Sequence, residues 1–235
     1  MDIDEIYEDG ISVSKAISLA ILTAQAELIL ATTKLYSKME TISTLELYKV
    51  GRYVVWSNEA NRIVNKLRRT QEVLMREKFR EVYIASNPFN SPIDERFIQE
   101  ALDRNWAGRN FSDSIWNNTE LLKAQLEKRI KDNISSGKGI DVLSKELTER
   151  FGVTKSRADT LARTETQYFI NQGQADRYIE KGIVSYEYLA EIDGKTTDIC
   201  RKLDGKEFRF VDARVGVNMP PVHVQCRSTI KPVID

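Results

Sequence analysis

ISLAILTAQAELILATTKL, running from Ile17 to Leu35, decides the architecture. Small and apolar residues fall in it at Ile17, Ile21, Ala24, Leu28, Ala31 and Leu35. The gaps alternate between four and three, the period that lays one face of an α-helix along a neighbouring helix. Such a face needs a partner. After Gly51, which suits a helix end because glycine accepts a left-handed backbone, the same rhythm returns at Trp56, Ala60, Ile63, Leu67, Thr70 and Leu74. The two segments predict a long antiparallel helical hairpin over residues 1–90 that binds partners through its apolar seams. The stretch Ser86-Asn87-Pro88-Phe89-Asn90-Ser91-Pro92 closes it, since proline interrupts a helix.

Outward from the hairpin, residues 91–152 read as a central helical bundle. A short helix covers Ile93 to Asp103, and a loop from Trp106 to Asp113 offers Ser112 or Asp113 as the cap of the next helix. That helix carries Ile115, Leu122, Leu126, Ile130 and Ile134 and stops at Ser136-Gly137-Lys138-Gly139. Another begins at Asp141 and closes near Gly152; Thr154 then opens a longer one, Lys155 to Lys181, which Gly182 ends. Beyond Gly182 the strand-forming residues Ile183, Val184, Tyr186, Tyr188, Leu189 and Ile192, then Phe208, Phe210 and Val211, announce β structure. The fold class is therefore mainly α, with a small C-terminal α+β module in residues 153–235.

Composition narrows the function. The 235 residues balance 35 Lys+Arg against 35 Asp+Glu, and 41% are hydrophobic. That is a globular composition, without the excess of positive charge that coats nucleic acid. The acidic opening Met-Asp-Ile-Asp-Glu-Ile-Tyr-Glu-Asp is unlike an export signal. The most apolar stretch, Ala16 to Ala31, is interrupted by Gln25 and Glu27 and is shorter than the ~20 residues that cross a bilayer, so no membrane partner is expected. Cys200 and Cys226 are too few for a disulfide framework and stay reduced in a cytoplasm.

The densest chemistry lies in Pro220-Pro221-Val222-His223-Val224-Gln225-Cys226-Arg227, which holds the only histidine of the chain three residues before a cysteine. With Cys200, it makes a candidate zinc site, because thiolate and imidazole are the ligands that zinc prefers. The fourth ligand is left to Asp193, Asp198, Asp204 or a water; the alternative is a metal-free turn with two buried thiols. The same acidic residues with His223 suggest a magnesium-dependent nuclease, and a Cys–His pair suggests a nucleophile, but neither pattern brings nucleophile, base and stabiliser together. Arg62, Lys66, Arg69, Arg76 and Arg80 recur along one side of the second helix, a stripe able to meet double-stranded DNA or an acidic protein surface. Arg163 and Glu165, two apart on the last long helix, face different neighbours; either one, if inward, is expected to lock that helix to the β module. Trp106, Phe111 and Trp116 read as core anchors.

Taken together, Arg157-Ala158-Asp159-Thr160-Leu161-Ala162-Arg163-Thr164-Glu165-Thr166, then Asp193, Thr196, Cys200, Leu203-Asp204-Gly205 and Pro220-Pro221-x-His223-x-x-Cys226-Arg227, resemble the phage Mu F-like head-morphogenesis family. The resemblance covers roughly residues 111–231 and makes Arg163, Glu165, Asp193, Asp204, Gly205, Pro221 and Arg227 its motif positions. It implies a minor head protein of a tailed bacteriophage, a structural and assembly factor rather than an enzyme. Such a protein associates with the portal and with capsid or scaffolding proteins. It resides in the head interior after assembly in the host cytoplasm, and acts in DNA packaging or ejection. Members often carry two further cysteines, where this chain has Thr197 and Ser228.

Overall fold

A computed structural model of the chain describes residues 3–37, 51–106, 108–136 and 138–234. Helices dominate them: α1 (Ile3–Tyr36), α2 (Arg52–Ala85), α3 (Glu95–Asp103), α4 (Phe111–Ser135), α5 (Ile140–Glu180) and the short α6 (Asp198–Leu203). Three strands, β1 (Ser185–Leu189), β2 (Glu207–Arg209) and β3 (Thr229–Val233), make one antiparallel sheet in the order β2-β1-β3. The chain is mainly α with a small C-terminal β sheet, as its periodicity predicts.

Contacts divide the chain into two compact units. One holds residues 15–74 and 112–159. Here the seam residues Ile17, Ile21, Ala24, Leu28 and Leu35 of α1 are buried, as are Trp56, Ala60, Ile63 and Leu67 of α2. The two helices run antiparallel: Trp56 Nε1 donates to Thr32 Oγ1 at 3.1 Å, while the Lys66 ammonium meets Glu27 at 2.7 Å. The hairpin does not stand alone in this unit. Gln25 donates to Thr148 of α5 and Ser57 to Glu127 of α4, and Leu122, Leu126, Ile130, Leu143, Leu147 and Phe151 supply further buried apolar surface.

Several sequence expectations need correction here. The helix end expected at Gly51 adjoins residues 38–50, outside the described residues; α1 stops at Tyr36, and the carbonyl of Gly51, with φ +70°, accepts the Val55 N–H at the start of α2. Ser112 and Asp113 do not cap α4, which begins at Phe111; the Ser112 hydroxyl donates to Glu72 at 2.6 Å. Gly152 breaks nothing, because α5 is one helix of 41 residues. The flanking Phe151 and Ala158 are buried, and packing of that kind outweighs the ~1 kcal/mol intrinsic cost of a helical glycine. Thr154 is no cap either, since its hydroxyl bonds back to the Arg150 carbonyl within the helix. Trp116 is no core anchor: it is 51% exposed. Finally, α1 contains a 24-residue stretch, Val13–Tyr36, that by length and composition alone is long and apolar enough to cross a membrane, whereas the shorter Ala16–Ala31 count is not.

The other unit comprises residues 1–14, 75–111 and 160–235. Its core includes Phe79 stacked on Phe169 at 4.9 Å and set edge-on to Phe111 at 5.1 Å. Gly182, at φ +79°, ends α5 as expected: its N–H bonds to the Ile179 carbonyl and the Ile183 N–H to that of Tyr178, the paired bonds of a Schellman cap. The chain then reverses into β1. Tyr186 and Tyr188 are both fully buried there, two residues apart and so on one face of the strand. Tyr186 packs with Ala175 and Tyr178 of α5, Met219 and Ile230. Phe210 and Val211, expected in the second strand, belong to a 3-10 turn, Phe210–Asp212, that follows β2. β3 had no strong sequence signal of its own, and Pro232 within it faces Tyr186 on a strand with only one neighbour, where proline's missing N–H does least harm.

Candidate functional site

Three structural features converge at one end of the sheet. β1 delivers Tyr188, α6 delivers Cys200, and the loop before β3 delivers His223 and Cys226. The Asp204 N–H closes α6 on the Cys200 carbonyl, and Gly205, at φ +72°, ties the end of the helix to β1 by sending its N–H to the Tyr188 carbonyl at 2.9 Å. The Asp204 carboxylate accepts the Ala190 N–H at 2.8 Å, so this aspartate fixes the turn.

Ligand atoms of Cys200, His223 and Cys226 all lie within 4.8 Å of one another. The two Sγ atoms are 3.8 Å apart, so the cysteines are free thiols, and both are buried. Cys200 Sγ is 3.1 Å from His223 Nε2. His223 Nδ1 is 2.8 Å from the Val224 carbonyl; donation there leaves the Nε2 lone pair facing the thiols, the orientation of a metal-ligating imidazole. Burial pushes the Cys200 thiol up, but hydrogen bonds from Ser228, Thr197, Tyr188 and His223 outweigh it and bring the group down to about 7. Ser228 and Thr197 thus contribute hydroxyls to the same cluster.

Tyr188 is the residue that sequence reading missed. Its hydroxyl sits 3.4 Å from Cys200 Sγ and 3.9 Å from Cys226 Sγ. Only strand alternation hinted that it pointed inward, and alternation does not say onto what.

The carboxylates considered as further ligands lie elsewhere. Asp193 Oδ1 accepts from Arg227 Nη2 at 2.6 Å and from the Lys195 N–H at 2.8 Å, and the Asp193 carbonyl accepts from Arg201. The Arg227 hydrogen bond, followed by that from Lys195, holds the Asp193 carboxyl well below its usual range. Asp198 is exposed in the first turn of α6. Pro221 is buried beside Pro220, to which it is joined by a cis peptide. Asp193 and Arg227, two of the motif positions, therefore form a brace between the β1–α6 loop and the Cys226 loop.

Glu165 is inward and buried, but its hydrogen-bond partner is Trp106 of the α3–α4 loop, whose Nε1 donates at 3.1 Å, and not the β module. Trp106 also stacks on Tyr168 at 5.1 Å. Burial pushes the Glu165 carboxyl up to about 7, against the pull of the Trp106 hydrogen bond. Arg163 is half-buried. The helix-to-module link includes Thr164, which accepts the Gln225 N–H at 3.0 Å, and Gln167 and Asn171, whose amides both donate to the Ser228 carbonyl.

Of the basic stripe, Arg62 is paired with Glu59 and Glu27, and Lys66 with Glu27. Arg76 meets Asp103 at 2.9 Å and Arg80 meets Glu95 at 2.8 Å. Arg69 is exposed. Exposed pairs of this kind add little stability, but each carboxylate cancels the field that would attract phosphate.

Residues 124–231 match the family model described as phage Mu protein F like protein. No curated protein and no solved structure shows a significant match. The matched segment takes in the second half of α4, all of α5, β1, β2, the start of β3 and the Cys/His cluster. Residues 124–231 are thus similar to the phage Mu protein F-like family.

Proposed function

We propose that the chain is a minor head protein of a tailed bacteriophage that docks on the portal inside the head and acts by assembly rather than by catalysis. The family match supports the virion setting. The observation that carries docking is the outer side of α1, where Leu19, Leu22 and Leu30 are 66%, 50% and 56% exposed although the helix's opposite side is already packed. Burying the part of each leucine that is still exposed gains about 1–1.5 kcal/mol, so this surface is suited to a protein neighbour. The portal, with capsid or scaffolding proteins around it, is the neighbour that the family setting favours; a role in packaging or ejecting DNA would follow from that position.

DNA contact and metal-dependent nuclease action draw less support. Four of the five stripe cations face carboxylates, and the Asp193 and Asp204 carboxylates are committed to Arg227 and to backbone N–H groups.

Co-sedimentation of the full chain with purified portal rings tests the proposal. The wild type is expected in the pellet. A Leu19→Glu, Leu30→Glu double variant should stay in the supernatant while melting at an unchanged temperature, since both side chains are exposed. A wild-type chain that never pellets with the rings overturns it.

A further inference from the structure

The Cys/His cluster has the dimensions of a coordination sphere. Around a tetrahedral zinc, with Zn–S ~2.3 Å and Zn–N or Zn–O ~2.0–2.1 Å, two thiolates lie ~3.8 Å apart and a thiolate lies ~3.5 Å from a nitrogen or oxygen ligand. The sulfurs here are 3.8 Å apart, and the Tyr188 hydroxyl is 3.4 and 3.9 Å from them. The Cys200–His223 separation of 3.1 Å is shorter than such an edge and is that of a direct S–H···N hydrogen bond which a metal would replace. The imidazole already presents Nε2, with Nδ1 occupied by the Val224 carbonyl.

From this we infer that the module holds one structural zinc ion through Cys200 Sγ, Cys226 Sγ and His223 Nε2, with the Tyr188 hydroxyl as the fourth corner. The choice of corner follows from what surrounds the sulfurs. The three carboxylates in reach by sequence are exposed or held by other partners, whereas Tyr188 is fully buried and directed at both thiols. Soft thiolates with an imidazole select zinc over magnesium or calcium. The ion ties β1, α6 and the loop before β3 together. With four protein ligands and no open position, the site is a structural clasp.

Elemental analysis and cobalt titration of the full-length protein test this. One zinc per chain is expected after purification, and Co2+ added to the metal-free protein should give the intense visible absorption of tetrahedral coordination. His223→Ala should abolish stoichiometric metal, whereas His223→Cys should restore it, a rescue that a merely packed histidine would not show. Tyr188→Phe, which keeps the ring and removes the oxygen, should weaken Co2+ binding by about 10–100-fold and alter the spectrum. Cooperatively folded wild-type protein that takes up neither zinc nor cobalt overturns the site. Tyr188→Phe protein with unchanged cobalt affinity and spectrum overturns the fourth corner.

Discussion

Gln225 gives its backbone N–H to the Thr164 hydroxyl oxygen at 3.0 Å, and Thr164 in turn donates to the Thr160 carbonyl one turn back at 2.7 Å. One threonine on α5 thereby anchors the loop that carries His223 and Cys226. Gln225 needs that anchor, because its φ of +57° is a conformation that non-glycine residues seldom hold unaided. Thr164→Val keeps the shape and removes the acceptor. Urea unfolding should show a loss of about 1 kcal/mol, the usual net value of such a bond. No change in midpoint would mean that the loop is held by other contacts.

The same helix explains what was and was not legible in the sequence. The seam from Ile17 to Leu35 could be read because a helix that packs on helices must repeat its apolar residues every three to four positions. Gly182 was readable because only a residue content with positive φ fits a Schellman cap. Gly152 was misread for the converse reason: glycine's preference is weak, and buried neighbours decide whether the helix continues. Cys200, His223 and Cys226 could be grouped by chemistry alone. Tyr188, Thr164 and Trp106 could not, because their roles depend on the β1 register and on which loop lies over α5, and these are products of tertiary packing.

Glu165 should give the protein a pH dependence of unusual sign. Burial raises its folded value from 4.5 to about 7, so the folded state holds a proton that the unfolded state has already released. Below about 4.5 both states are protonated and the group costs nothing. As pH rises from there to about 7 the penalty grows to about 3 kcal/mol, and above 7 it is constant. Glu165→Gln keeps an acceptor for Trp106 without the charge. It is expected to be the more stable protein at pH 8 and indistinguishable from wild type near pH 4; equal stability of the two at pH 8 would refute the buried-carboxyl account.

Asp193 works in the opposite direction. Its carboxyl is held below the usual range by Arg227, so its contribution is present above the unfolded value near 4 and disappears as pH falls further. Asp193→Asn should therefore destabilise the module at pH 7 and converge with wild type in strong acid, as followed by thermal melting. A constant gap between the two across that range would separate Asp193 from the acid limb.

Gly205 has a single reason to be glycine. A Cβ there would meet nothing within 4 Å, so space is not the constraint; φ +72° is. Gly205→Val should cost at least about 1–2 kcal/mol, while Gly205→Asn, a residue that tolerates the left-handed region, should cost less. Equal losses in chemical denaturation would point to a cause other than backbone conformation.

Gly173 and Gly152, both inside α5, make a sharper pair because the same substitution should act in opposite directions. A Cβ on Gly173 would lie 2.0 Å from Ser86 Oγ and 2.7 Å from the Tyr83 carbonyl oxygen. The serine hydroxyl could rotate away at the expense of its 3.0 Å bond to the Tyr83 carbonyl, but that carbonyl belongs to the backbone of α2 and cannot. Gly173→Ala must then push the end of α2 off α5, at a cost of about 1–3 kcal/mol or more. Around Gly152 a Cβ meets nothing within 4 Å, so alanine there only reduces the entropy lost on folding and should add about 0.5–1 kcal/mol. Thermal unfolding of the two alanine variants beside wild type should bracket it, Gly173→Ala below and Gly152→Ala above. If both shift the same way, either the close approach of α2 to residue 173 or the continuity of α5 through residue 152 is wrong.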